Sequence, residues 1–436
     1  MGPPHQKSTN WEETMEKMLK TVTAIIMLVV IAVSTTGCAT AVKAGDLMKG
    51  VQKRATSVFA DREAYASGMS DFAVRLAKTC NERDTGKNVL VSPLSVIMAL
   101  SMTANGAEDE TLREMEQVLG FSKEELNAYA GAYMQMLKDI PAGSGTLDIA
   151  NSIWFPEDSR IEVNKDFLQT NADYYDASLY SAPFDDTTVT SINNWVSEKT
   201  RGMIPQIVNN MPPNAVMFLV NALAFDAEWT EPYKESDVMD GDFWVTQTKR
   251  RRVPFMHGNE NVFLYDDNAQ GFIKYYKGLK FAFAALLPDE GVDVNDYLNS
   301  LDGEKLQKIF KNASKEKVIT SIPKFKLEYS TSLSDVLKEM GMPRAFDRDN
   351  AQFGSLGKSD YNIYIDEVLH KTYITLDEKG TKAGAATAVV MLAGAAGPPR
   401  ERIVRLNRPF VYMLIDTETN TPFFIGVLNT PDPEHP

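Results

Sequence analysis

The chain has 436 residues, 44% of them hydrophobic, and a formal net charge of −14 at neutral pH. That length and apolar content suffice for a large core and by themselves allow two or three domains. The acidic balance argues against a nucleic-acid binder, which needs a basic footprint, and gives no reason to expect adhesion to an anionic membrane surface. Two cysteines, Cys38 and Cys80, do not make a disulfide framework. Four histidines, His5, His257, His370 and His435, two of them close to a terminus, leave few options for imidazole catalysis or a metal site.

Residues 1–10 read as a leader, with a plausible start at Met15 or Met18. Lys17 and Lys20 make a positive n-region, and Val22–Val33 is an apolar run too short to span a bilayer comfortably. The succeeding Ser-Thr-Thr-Gly-Cys-Ala resembles a bacterial lipoprotein signal cleaved before Cys38, with Thr35 departing from the usual apolar residue. The resemblance implies a lipid on Cys38; the other reading is an ordinary secretory signal. Both take the mature protein out of the cytoplasm, as an envelope lipoprotein or a secreted protein whose membrane contact is the Cys38 anchor alone. Residues 38–69 read as a mixed polar tether.

From Ser70 the pattern is that of a folded domain. Ser70–Lys78 has an N-cap pair and helical spacing, with Phe72, Ala73 and Leu76 inward and Cys80 a free thiol at its end. Asn88–Met102 is a short strand turning into a helix that is apolar nearly all round; Ser92 suits the N-cap and Pro93 the first turn. Ala107–Leu119 is a further amphipathic helix. Leu147–Phe155 alternates as a strand does, Asn164–Tyr175 and Ser191–Gly202 read as helices, and Ala177–Pro183 as a strand. Met217–Phe225 is a continuous apolar run, as in a strand buried on both faces, with Asn221 in its middle as a buried amide that must find partners.

Further strands lie at Phe243–Val245, Val253–His257, Phe272–Tyr276, Phe281–Leu287 and Lys317–Leu327, then a helix at Ser332–Met340 and a strand at Tyr364–Leu376. Ile403–Ile415 and Pro422–Leu428 read as a hairpin. No repeat and no linker interrupts residues 70–432, which favours one large domain, 70–436, over several.

The segment Leu376–Glu401 organises the rest. From Ala383 to Pro399 it carries no charge, and no Pro precedes Pro398, so nothing forbids a central strand. Its Ala/Gly content makes it a poor strand alone and a poor helix. It is either an apolar loop or a segment built to enter an existing sheet. Glu378-Lys379-Gly380-Thr381-Lys382-Ala383-Gly384-Ala385-Ala386-Thr387 resembles the hinge of an inhibitory serpin's reactive loop: acidic, any, Gly, Thr, any, then small residues. "NVLVSPLSVIMALSMTANGA", "FLVNALAFDAEW", "EVLHKTYITLDEKGT" and "VRLNRPFVYMLI…FFIGVLNTP" match serpin motifs in the correct order over about residues 70–432.

The resemblance implies an α+β serpin fold of three β-sheets and about nine helices, with a reactive loop over 378–400. It implies a suicide-substrate inhibitor, not an enzyme, without cofactor or metal and working as a monomer. Its partner would be a serine protease, with papain- or subtilisin-like targets also open. Family spacing from Gly380 puts the scissile bond at Gly394–Ala395, with Ala393 and Ala396 as one-residue slips. All are small, which suits an elastase-like pocket. The hinge would be Glu378, Gly380, Thr381, Ala383, Ala385, Ala386 and Thr387. Ser92, Ser95, Asn221 and His370 match the polar cluster where the main sheet opens, and Trp229 the tryptophan near its top. A hydrolase is the alternative class, but no Gly-x-Ser-x-Gly elbow, zinc spacing or phosphate loop appears, and His370 reads as a structural histidine bonded across a sheet. The other alternative is a non-inhibitory serpin acting as a binding or chaperone module.

Overall fold

A seven-stranded sheet is the framework of the molecule. In the computed structural model, which describes residues 44–54, 61–157, 161–212, 215–381 and 401–432, its spatial order is Gly45–Asp46, Ser178–Ala182, Thr146–Pro156, Phe218–Glu228, Gly380–Thr381, Glu367–Leu376 and Phe325–Ser332. A six-stranded sheet runs Val89–Val91, Thr421–Leu428, Phe410–Asp416, Phe281–Pro288, Ala269–Tyr275, Phe263–Tyr265. A four-stranded sheet runs Arg402–Arg405, Val318–Pro323, Arg250–Glu260, Val238–Trp244. A two-stranded ribbon pairs Gly357–Ser359 with Ile161–Val163. The described residues also hold nine α-helices, so the expected mixture of three main sheets and about nine helices is what the chain builds.

The first two sheets share a helix between them. Pro93–Ala104 is buried at every position, because its sequence is apolar or small on all sides. Ser92 caps it, its hydroxyl accepting the Ser95 N–H, and Pro93 occupies the first turn where no amide partner is lost. The helix packs on Thr421–Leu428 of one sheet and on Phe218–Glu228 and Thr146–Pro156 of the other. Phe218–Glu228 is buried at every position except Asp226 and Glu228, as its largely apolar sequence requires.

Several expectations are corrected. Residues 44–54 and 61–69 of the supposed tether are docked on the domain. Gly45–Asp46 adds an edge strand antiparallel to Ser178–Ala182. Both the Arg54 amide and its guanidinium donate to the Asp173 carboxylate, at 2.7 and 2.6 Å, and the buried Arg62 pairs with the buried Asp416 at 2.5 Å. A mixed sequence conceals this, because backbone pairing and ion pairs share the attachment with scattered apolar residues, Leu47, Met48, Val51 and Tyr65, that pack on the core. The first helix spans Ala66–Arg83, longer than Ser70–Lys78 at both ends.

The helices Lys123–Lys138, Val294–Asn299 and Gly303–Lys311 were not among the expected elements. Ile403–Ile415 is two strands of different sheets, Arg402–Arg405 and Phe410–Asp416, divided at Asn407–Pro409, where Pro409 lacks the amide a continuous ladder needs.

Candidate functional site: the seam of the large sheet

The strands Phe218–Glu228 and Glu367–Leu376 are neighbours for only part of their length. From Glu367↔Phe218 to Thr372↔Leu223 they pair directly and in parallel. Above that point they part, and Gly380–Thr381 lies between them, antiparallel to both: Thr381 faces Leu376 on one side and Ala227 on the other, and Gly380 faces Glu228. The chain turns back through Asp377–Lys379, where the Asp377 carboxylate accepts the Lys379 and Gly380 amides at 2.8 and 3.2 Å. Gly380 has φ of 155°, and a Cβ there would stand 2.1 Å from the Ala227 carbonyl oxygen. A glycine is thus required for the chain to enter the gap.

Below, a buried polar cluster clasps the closed part of the seam. His370 and Asn221 are register partners across it. The His370 Nε2 accepts the Ser92 backbone N–H at 3.1 Å, which leaves Nδ1 protonated to donate to Asn221 Oδ1 at 2.6 Å. The Ser95 hydroxyl donates to the same oxygen at 2.8 Å. The Asn221 amide then donates to Asn151 Oδ1 at 2.7 Å, on the next strand. Three strands and the capped end of the Pro93–Ala104 helix are tied by one side-chain network. Burial holds the His370 imidazole neutral, with its pKa lowered to about 3. The expected site members Ser92, Ser95, Asn221 and His370 therefore come together, and His370 bonds across the sheet with both ring nitrogens occupied by the Ser92 amide and the Asn221 oxygen, neither of them on a hydroxyl.

At the top, Trp229 stacks on Tyr276 with ring centroids 4.3 Å apart and planes 12° from parallel. Its indole N–H donates to the Asp377 carbonyl and its backbone N–H to the Lys379 carbonyl, both at 2.9 Å. The Tyr276 hydroxyl bonds the Thr381 hydroxyl at 2.6 Å. Glu378 is held by Lys324 at 2.6 Å, and its carbonyl accepts the Tyr233 amide. Burial and Lys324 act in opposite directions on the Glu378 carboxyl, and the net effect holds it below its ordinary range. Beneath Tyr233 and Trp229 lies a buried ion pair, Lys274–Glu260 at 2.8 Å, with the ammonium against both rings.

Sequence reasoning passed over Asn151, Tyr276, Asp377, Lys324 and the Lys274–Glu260 pair. The signal for Asn151 was present: a lone amide in an alternating apolar strand, the argument already applied to Asn221. The others meet only through tertiary pairing. Ala383, Ala385, Ala386, Thr387, the Gly394–Ala395 bond with Ala393 and Ala396, and Cys38 lie outside the described residues. Among the described residues no group of three or more His, Cys, Asp or Glu is placed to hold a metal ion, and no helix is long and apolar enough to cross a membrane.

The family model described as serpin (serine protease inhibitor) matches residues 67–431. An uncharacterised serpin-like protein of Thermococcus kodakarensis is 31% identical over 351 residues, 79% of this chain and 81% of that protein. The crystal structure of the thermophilic serpin tengpin in its native state matches with a TM-score of 0.82 at 45% identity, covering 89% of this chain and 99% of that one. The latent state of tengpin matches with 0.73 at 42% identity, over 87% and 100%. The chain belongs to the serpin family, whose members are generally protease inhibitors and not enzymes.

Proposed function

We propose that this serpin is a single-use inhibitor of serine proteases with a shallow, elastase-like primary pocket. One observation carries the reading. Gly380–Thr381 is already seated between two strands that separate above Thr372 and stay joined below it, so the segment after Thr381 has a ready place to extend as a new strand. The protease's serine oxygen attacks the Gly394 carbonyl carbon. The bond to the Ala395 nitrogen breaks, the new amine takes a proton from the protease's general acid, and an ester to Gly394 remains. The freed hinge then inserts downward. Each strand-to-strand contact from Leu223↔Thr372 to Phe218↔Glu367 is replaced by contacts to the inserted chain, and the His370–Asn221 bond must break on the way. The tethered enzyme is carried along before water can hydrolyse the ester. The driving force is a kinetically trapped native sheet.

Small residues at Ala393, Gly394, Ala395 and Ala396 support the elastase-like preference. The test is incubation with pancreatic or neutrophil elastase, read by denaturing gel and mass spectrometry. The expected result is a denaturant-stable complex and a released peptide that begins at Ala395. Clean cleavage without complex by elastase and by trypsin-, subtilisin- and papain-like enzymes would sink the inhibitor reading and leave a binding or chaperone role.

The proposed site of action lies outside the cytoplasm, with the protein anchored by a lipid on Cys38. Cys38→Ala is expected to move the protein from the membrane fraction to the soluble fraction, and a soluble wild type would remove the anchor.

A further inference from the structure

A cavity of about 750 Å³ opens where the turn between the strands Val238–Trp244 and Arg250–Glu260 meets one end of the six-stranded sheet. Its walls are that turn, residues 290–295 after the strand Phe281–Pro288, residues 407–409 before Phe410–Asp416, and Asn429 just beyond Thr421–Leu428. Hydrogen bonds to backbone carbonyls fix the frame. The Trp244 N–H donates to the Asn407 carbonyl at 2.7 Å, the Arg408 guanidinium to the Pro288 carbonyl at 2.7 Å, and the Asn429 side-chain amide to the Lys87 carbonyl at 2.6 Å.

Trp244 is the aromatic member of the wall. Tryptophan is highly buried on average, yet this one keeps 39% of its surface exposed. Its cross-strand neighbour Arg250 stands over the ring, 5.6 Å from the centroid, and is itself held by Asp242 at 2.7 Å, so a paired cation fixes the indole in place. Around it are polar groups left over once the frame is made. Among the described residues, the side-chain amides of Gln247 and Asn407 and the Glu290 carboxylate have no hydrogen-bond or ion-pair partner, and Asn429, 7% exposed, has an Oδ1 that accepts nothing. Burial pulls the Arg408 pKa below its ordinary value, and no described carboxylate lies within ion-pair distance of its guanidinium.

This mixture of groups selects the occupant. Glu290 and Asp293 would repel an anion, and Arg408 would repel a cation. Carboxamides both donate and accept, and a hydroxyl does the same, so a ligand with several hydroxyls can meet amide, carboxylate and guanidinium alike. The electron-rich face of an indole takes the C–H side of a sugar ring. The volume falls in the range of small-molecule sites and holds about two or three such rings. We infer that this cavity is a binding site for a neutral oligosaccharide, with one ring laid against Trp244 and its hydroxyls bonded by Gln247, Glu290 and Asn407. The inference is independent of protease inhibition, since no wall residue belongs to the hinge or the seam.

The test is calorimetric titration of the full-length protein with cellotriose, maltotriose and triacetylchitotriose, and with trigalacturonate as their anionic counterpart. At least one of the neutral sugars is expected to bind with a Kd of about 0.1–1 mM, and trigalacturonate about tenfold more weakly. Trp244→Ala should weaken the bound sugar about tenfold, and Trp244→Phe, which keeps a ring, by less. Asn407→Ala, at a side chain with no bond in the described fold, should weaken it about fivefold. Met239→Ser, on the same strand but outside the cavity, should leave it unchanged. The inference is overturned if none of the neutral sugars binds, or if trigalacturonate binds as tightly as they do. Full affinity in both Trp244→Ala and Asn407→Ala would also overturn it.

Discussion

Thr381 and His370 are single residues at opposite ends of one process. Thr381 is buried in the mouth of the seam with its hydroxyl on Tyr276. Arginine there would place a charge where a strand must pass, at a site with no acidic partner on Tyr276 or Trp229. Thr381→Arg is expected to fold and to be cut by its target protease, yet to give no stable complex on a denaturing gel; a full yield of complex would refute insertion from this hinge. For His370 the sign is set by burial. Its pKa in the fold, about 3, lies below the ordinary histidine value of 6.5. The unfolded chain therefore binds the proton first as pH falls, and stability drops through the window from 6.5 toward 3, by up to about 1.4 kcal/mol per pH unit. In His370→Asn the slope of stability against pH between 6 and 4 should be shallower than in the wild type. Equal slopes would mean that the imidazole is not held neutral.

Among the elements, the docked segment 44–54 is the one whose role is open to direct measurement. It is attached through the Gly45–Asp46 pairing and the Arg54–Asp173 contacts. Arg54→Ala should leave the core intact and raise amide exchange across residues 45–51 several-fold, with the Ser178–Ala182 edge changing in step; unchanged exchange would show that backbone pairing alone holds the segment.

The same segment marks the limit of what the sequence makes legible. Elements whose burial is dictated by their own composition could be read: the all-apolar Pro93–Ala104 helix, the Phe218–Glu228 run, the Gly380-Thr381 entry. Elements whose place depends on a distant partner could not. Gly45–Asp46 has no strand signature apart from Ser178–Ala182, and Arg402–Arg405 differs from the strand after it only by Pro409 and by which sheet receives it. In the site, Asn221 was visible as an amide in an apolar run. Tyr276 was one of two adjacent tyrosines, and only tertiary structure tells which one meets Thr381.

For the molecule as a whole, the proposed mechanism requires that the uncut fold is not the most stable arrangement of this chain. Three strands of the large sheet are clasped around a join that a further strand can fill. Limited cleavage at Gly394–Ala395 is therefore expected to raise the thermal unfolding temperature by more than about 20 °C, equivalent to on the order of 15 kcal/mol for a domain of this size. A cleaved protein that melts with the uncut one would mean that the loop stays out of the sheet.

Trp229 lends this transition an optical signature. Its ring is sealed between Tyr276 and the Lys274 ammonium, and its two N–H groups hold the turn that launches the hinge. Trp244, by contrast, is 39% exposed and far along the sequence from that turn. Trp154 and Trp195 are buried as well, so the part of the emission that Trp229→Phe removes is the part expected to respond to what Asp377 and Thr381 do. On the proposed mechanism the molecule contains a fluorophore at the point where insertion begins, and its kinetics are expected to be readable by emission without attaching any label.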